Sequence, residues 1–284
     1  MIIILILAAT VGGTGATALG GCGPGASASS GTSVVASFYP LAFAAQEIGG
    51  PHVHVENLTP PGSEPHDLEV SPQEVSAIES ADFVLLLGRG FQPQLEDAAG
   101  HGVSVVHLLD TPGLRVHANG DPHVWLDPLR YAKLAQRIGR SLHAPAAAAR
   151  FVARLHILDA EYRRGLADCR RRDVVTSHEA FAYLAERYGL HQIAITGLSP
   201  EAEPAPGGLA RVLDLVRARG VTTIYFETLV SPRIAETVAR ETGTTTAVLD
   251  PIEGLTEDEA KRGENYFTLM RKNVRALEEG LGCR

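Results

Sequence analysis

The strongest constraint on this chain is a rhythm. Short apolar or alternating runs recur along it, and each is followed by a loop and a stretch of helical spacing. In the first half the runs are Val34 to Phe38, His52 to Leu58, Phe83 to Leu87 and Val103 to Leu108. In the second half they are Asp173 to Ser177, Gln192 to Ile195, Thr222 to Glu227 and Thr244 to Leu249. Phe83-Val84-Leu85-Leu86-Leu87 is apolar throughout and stops at Gly88, the pattern of a strand buried on both faces. Strand and helix in alternation predict an α/β fold with parallel sheets covered by helices.

The helix signals agree. Ser71-Pro72-Gln73-Glu74 and Thr256-Glu257-Asp258-Glu259 have capping-box spacing. Between the two runs of strands lies a long helical region, Leu129 to Leu142 and, after Ala144-Pro145, Ala146 to Cys169. Phe151, Leu155, Leu158, Tyr162 and Leu166 recur there at three and four, as a buried stripe requires. A helix of that length runs about 35 Å, enough to join two lobes as a stiff strut. The expected division is an N-terminal α/β lobe over 33–145, a linking helix over 146–170 and a C-terminal α/β lobe over 171–284.

Composition enters by exclusion. A net charge of -8 over 284 residues excludes nucleic acid as a partner, since phosphate binding needs clustered Lys and Arg. Met1 to Ala9 is an apolar run, too short to span a bilayer, and small residues follow it to Leu19-Gly20-Gly21-Cys22. Residues 1–21 read as a secretory signal. Leu-Gly-Gly-Cys resembles a bacterial lipobox, which makes Cys22 the lipidated anchor and 22–32 a flexible Gly- and Ser-rich tether. No Lys or Arg precedes the apolar run, a departure from the usual signal. Export implies an oxidising compartment, so Cys169 and Cys283 are expected to form a disulfide.

Four polar residues occupy one kind of topological position. His66 lies in the proline-stiffened loop Pro60 to Asp67, and His123 in Asp121-Pro122-His123-Val124-Trp125-Leu126-Asp127-Pro128. In that second stretch Pro122 stiffens the approach, and Asp127 with Pro128 starts a helix. His178 closes the strand Asp173 to Ser177, and Asp250 closes the last one. All four fall where a strand or extended stretch gives way to a helix, and parallel sheets bind ligands at those carboxyl ends. Two come from each half, so a cleft between lobes can unite them. Three imidazoles and a carboxylate suit zinc. Asp250 is favoured as the carboxylate because it follows the strand directly. Glu253, three residues on in the same loop, is the second candidate, longer and costlier to hold still. His52 and His54 point the same way on one strand and are read as a solvent-facing pair.

The chain resembles the metal-binding lipoproteins of bacterial ABC importers for zinc and manganese, and the zinc-type members most. The resemblance runs from about Ser33 to the C-terminus. It is carried by Pro61 to His66, Asp121 to Pro128, Ser177 to Phe181 with Tyr183-Leu184, Glu203-Pro204, Phe226-Glu227 and Leu249 to Leu255. It implies two α/β lobes joined by one rigid helix, Zn²⁺ held in the cleft as transported ligand, and delivery to a membrane permease by a lipid-anchored monomer outside the cytoplasmic membrane. Manganese-type relatives usually have a carboxylate at the position of His178, so this histidine favours zinc. Many zinc-type relatives carry a long His-rich loop before the second motif. Here Leu114 to Gly120 is short and contains His117 alone.

The expected class is a binding protein without catalytic activity. The alternatives are a zinc hydrolase, with Glu179 beside His178 as its base, a manganese binder, or a surface adhesin on the same fold.

Overall fold

A computed structural model describes residues 31–100, 103–202 and 206–284. The expected signal, Cys22, all of the tether but its last two residues, and the Glu203-Pro204 motif lie outside the described residues.

The N-terminal lobe runs β1 (Thr32–Ala36), α1 (Tyr39–Gly49), β2 (Val53–Asn57), α2 (Pro72–Ser80), β3 (Phe83–Leu86), α3 (Pro93–Ala98) and β4 (Val105–His107). Two helices follow, α4 (Pro128–Ser141) and α5 (Pro145–Gly165). The C-terminal lobe runs β5 (Asp173–Thr176), α6 (Ala182–Tyr188), β6 (His191–Ala194), α7 (Pro206–Arg219), β7 (Thr223–Phe226), α8 (Arg233–Thr242), β8 (Thr245–Val248), α9 (Glu257–Lys261) and α10 (Tyr266–Leu281). Both sheets are parallel. Their orders, β2-β1-β3-β4 and β6-β5-β7-β8, are the same arrangement repeated. Every βα loop therefore leaves its sheet from the carboxyl edge.

Side-chain alternation sorts each sheet into two faces. Val34, Ala36 and Leu85 join a core that continues through Trp125, Tyr131, Phe151, Tyr162 and Tyr183 to Tyr225, Tyr266 and Leu277. That core runs without interruption from one lobe to the other under α4, α5 and α10. On the opposite faces, Val35, Val84 and Leu86 pack on Ile78 and Leu95. Val175 and Ile224 likewise pack on Val212, Val216 and Val238. The helix starts follow their sequence signals. Ser71 and Thr256 form capping boxes with Glu74 and Glu259, and Asp127 accepts from Leu129 N and Arg130 N ahead of α4. Among the described residues no helix is long and apolar enough to cross a membrane.

Two expectations shift. The long helix stops at Gly165, not Cys169, because its end is captured from outside. Arg172 donates to the carbonyls of Leu166 and Ala167, and Cys169 pairs with Cys283 in an antiparallel bridge. At 21 residues it spans about 31 Å. His52 belongs to a short 3₁₀ turn ahead of β2, and both it and His54 are exposed.

Cys169 and Cys283 are disulfide-bonded across a sequence separation of 114 residues. The bond ties the segment after α5 to the chain end after α10. Closing a loop that long contributes up to about 4–5 kcal/mol through the unfolded chain. Urea unfolding of Cys283→Ser, or of the reduced protein, should show a clearly lower midpoint, and an unchanged midpoint would contradict this role for the bridge.

Candidate metal centre

Four loops deliver one side chain each to the space between the lobes. His66 follows β2. Its loop is held by Gln92, which donates to the Pro65 carbonyl (3.1 Å), and by Glu64, which accepts from His66 N (3.0 Å). His123 comes after β4 on the segment stiffened by Pro122. Asp121 Oδ1 accepts from both its backbone N (3.0 Å) and its ring Nδ1 (2.8 Å). His178 comes after β5, and its carbonyl accepts from Thr176 Oγ1 (2.7 Å) and Gln192 Nε2 (3.0 Å). Its ring Nδ1 donates to Glu227 Oε1 (2.8 Å). The fourth residue is Glu253, from the loop after β8.

The convergence is tight. Glu253 Oε1 lies 2.9 Å from His123 Nε2, 3.2 Å from His66 Nε2 and 3.6 Å from His178 Nε2. The two Nε2 atoms of His123 and His178 are 3.5 Å apart. One donor atom from each of the four residues can be chosen so that all lie within 4.8 Å of one another. A tetrahedral ion with bonds of about 2.0–2.1 Å places its donors about 3.3 Å apart, so the group is already close to the required spacing. The ring orientations suit a metal as well. With Nδ1 of His123 and of His178 each donating to a carboxylate, Nε2 is the nitrogen of each ring that faces the centre, where a metal can take the place of the proton it shares with Glu253. Glu253 Oε2 is buried and, among the described residues, has no hydrogen-bond partner. An orphan acceptor is costly unless a cation satisfies it.

The electrostatics depend on burial and on these pairings. Burial works against a charged His178, but Glu227 and Glu253 outweigh it and raise its pKa to about 10. For His123 the same opposition, with Asp121 and Glu253 on its two nitrogens, also ends above the ordinary value. Burial pushes Glu253 upward, yet the three imidazoles together hold it well below the usual carboxylate range. Glu64 goes the other way, to about 8, through burial and then repulsion from Glu253.

The structure thus gathers His66, His123 and His178 with Glu253, the second of the two candidate carboxylates, and not with the favoured Asp250. Asp250 stays outside the group. Its Oδ1 accepts from Ile252 N (2.7 Å) and its Oδ2 from Thr228 Oγ1 (3.2 Å), while Asn273 brackets its backbone at N (2.9 Å) and O (2.7 Å). Ile252 then takes a left-handed φ of 56°, rare for a β-branched residue, and this turn carries Glu253 inward. Trp125 Nε1 donates to the Pro251 carbonyl (2.7 Å), fastening the loop beside His123. Asp121 and Glu227, the carboxylates that orient two of the histidines, are not among the site residues the sequence pattern singles out. The signals were there: Asp121 stands two residues before His123, and Glu227 directly follows β7 on the same edge as the other groups. Glu179 does not face the centre. It lines a separate cavity with Ala182, Glu186 and Gln192. Access lies at His66, whose side chain is 11% exposed against 0% for Glu253. A cavity of about 210 Å³ lined by His66, Gly90, Phe91 and Pro122 opens there.

Residues 34–280 match the family model described as zinc-uptake complex component A, periplasmic (ZnuA). The zinc-binding lipoprotein AdcA of Streptococcus pneumoniae serotype 4 is 36% identical over 275 residues, covering 87% of this chain and 55% of AdcA. The chain therefore spans about half the length of the AdcA relatives it matches. The high-affinity zinc uptake system protein ZnuA of Bacillus subtilis is 31% identical, with 87% of each chain covered. Among solved structures, the Zn(II)-bound ZnuA-like domain of S. pneumoniae AdcA superposes with a TM-score of 0.77 at 36% identity, over 88% of this chain and 99% of that one. The laminin-binding protein Lmb of Streptococcus agalactiae, described as an adhesin with metal transporting activity, gives 0.81 at 31% identity, over 88% and 100%.

The raised pKa values fix the sign of a pH effect. In the metal-free protein His178 gains stability from its carboxylates that is fully present below about pH 6.5 and is lost as pH rises through about 10. A metal must displace that proton, so binding at pH 7 releases a proton and weakens with acid. Calorimetric titration with Zn²⁺ in two buffers of different ionisation heat should show net proton release. No release at pH 7 would contradict the charge state described here.

Proposed function

The chain belongs to the zinc-uptake complex component A family, and from that premise we propose that it captures Zn²⁺ outside the cytoplasm and hands it to an ABC permease. The observation that carries the reading is the meeting of three imidazole nitrogens and one carboxylate, drawn from both lobes, in one buried cluster. Nitrogen-rich donors of this kind suit zinc, and a histidine at position 178 favours it over manganese. Zn²⁺ is the cargo in this reading, with His66, His123, His178 and Glu253 as its ligands. Asp121 and Glu227 orient two of the rings from behind.

The protein acts as a binder and not a catalyst. A catalytic zinc keeps a position open for water and has a base beside it. Here a buried carboxylate stands with the three imidazoles as a fourth donor, and Glu179 lines a different cavity, which supports the binder reading. The anchor in this reading is a lipid on Cys22, after removal of residues 1–21, with 22–32 as the tether and a monomer as the transporting unit. The lobes are assigned to 33–145 and 171–284, with 146–170 between them.

Competitive chelator titration of the full chain tests the ligand set. His66→Ala, His123→Ala, His178→Ala and Glu253→Gln should each weaken Zn²⁺ binding roughly hundredfold or more. Asp250→Asn, which keeps an acceptor for Ile252 N, should stay within about tenfold of the parent, the scale of an outer contact. If Asp250→Asn costs more than Glu253→Gln, the assignment of the carboxylate is wrong. Cys22→Ser should move the protein from membrane to medium, and identical fractionation of mutant and parent would remove the anchor.

A further inference from the structure

His117, the lone histidine of the short stretch before the second motif, is not idle. Its ring stacks on Tyr183 of α6, with centroids 3.9 Å apart and planes 14° from parallel. Arg130 of α4 stands over the same Tyr183 ring at 4.6 Å. The Tyr183 hydroxyl accepts from His117 N (2.8 Å) and donates to the Asp121 carbonyl (2.9 Å). His117 Nδ1 lies 3.4 Å from Asp121 Oδ2, and its Nε2 lies 3.1 Å from Glu186 Oε2. Glu186 also accepts from Arg130 (2.7 Å).

The partners come from different lobes. Tyr183 and Glu186 belong to α6, the helix that begins four residues after His178. His117, Asp121 and Arg130 belong to the N-terminal side, and Asp121 holds the ring of His123. Tyr183 is fully buried, so each bond of its hydroxyl is made away from water, where an unmade partner is expensive. The result is a latch with one end beside His178 and the other on the carboxylate that aims His123.

We propose that Tyr183 is a positioning residue for the metal centre. From the C-terminal lobe it fixes the turn carrying Asp121, and through Asp121 the ring of His123, so the latch sets how long the cargo is retained. The inference rests on the reading of the cluster as a zinc site. Parting the lobes breaks the Tyr183 bonds and slackens His123 together, which makes opening of the latch a step in metal release. Tyr183→Phe removes the two hydroxyl bonds while keeping the ring between His117 and Arg130.

The test is the rate of Zn²⁺ loss to excess chelator from the full chain in stopped flow. Tyr183→Phe should release zinc about tenfold faster, the equivalent of one or two lost hydrogen bonds, with its association rate unchanged. Tyr162→Phe loses a buried hydroxyl bond of the same kind, to the Met270 carbonyl (2.7 Å), which is none of the latch's own bonds, keeps its ring stacked on Tyr188, and should release zinc at the parental rate. Release from Tyr183→Phe at the parental rate, or equal acceleration in Tyr162→Phe, overturns the proposal. If Tyr183→Phe fails to fold, His117→Phe serves instead. Its side chain is 30% exposed, the stacking is kept, and only the contacts to Asp121 and Glu186 go. It too should release zinc faster, and parental release overturns the proposal. A parent that binds no zinc, and is matched by His178→Ala, overturns the zinc reading itself, whereas a zinc-binding parent with unchanged Tyr183→Phe overturns the latch alone.

Discussion

A carboxylate with no route to water sits at the centre of this molecule. Glu253 is buried, and its Oε1 is shared by three imidazoles at 2.9, 3.2 and 3.6 Å. An isolated charge there would be prohibitively costly, and a charge pair repays its desolvation only where the geometry is good. Each of the three histidines must therefore be held in place by something else. Asp121 and Glu227 hold two rings by Nδ1, and Glu64 with Gln92 holds the loop of the third. These supporting groups determine where the Nε2 lone pairs point, and so what the centre can bind.

The fold supplies this arrangement cheaply. Two parallel sheets of the same strand order present all their βα loops at carboxyl edges, and a continuous core beneath α4, α5 and α10 joins the lobes. Trp125 and Tyr266 extend that core to the metal loops. The indole donates to Pro251, and the Tyr266 hydroxyl donates to the Trp125 carbonyl (2.6 Å). The loop after β8 thus belongs to one lobe by chain and is fastened to the other by contact, as is α6 through Tyr183.

The histidines were legible in the sequence because their positions depend on strand order and loop stiffness, both of which leave composition signals. His123 after Pro122 and His178 after an apolar strand are of this kind. The carboxylate was legible only as one of two, because the choice between Asp250 and Glu253 turns on a single dihedral. A β-branched residue at φ 56° is not what Asp250-Pro251-Ile252-Glu253 predicts. That turn folds Asp250 back onto Ile252 N and sends Glu253 to the centre. The end of α5 was misread for a related reason. Helical spacing continues through Leu166, but Arg172 and the Cys169–Cys283 bridge, both distant signals, take the chain away. Asp121 and Glu227 were overlooked because an orienting carboxylate looks, in sequence, like any polar residue at a strand end.

The central claim is the donor set, and X-ray absorption at the zinc edge reads it without mutation. The zinc-loaded protein should give three imidazole nitrogens and one carboxylate at about 2.0–2.2 Å, with no sulfur. Glu253→Gln should remove the carboxylate contribution while the imidazole scattering stays. A spectrum fitted by two imidazoles or fewer, or one left unchanged by Glu253→Gln, would contradict the account.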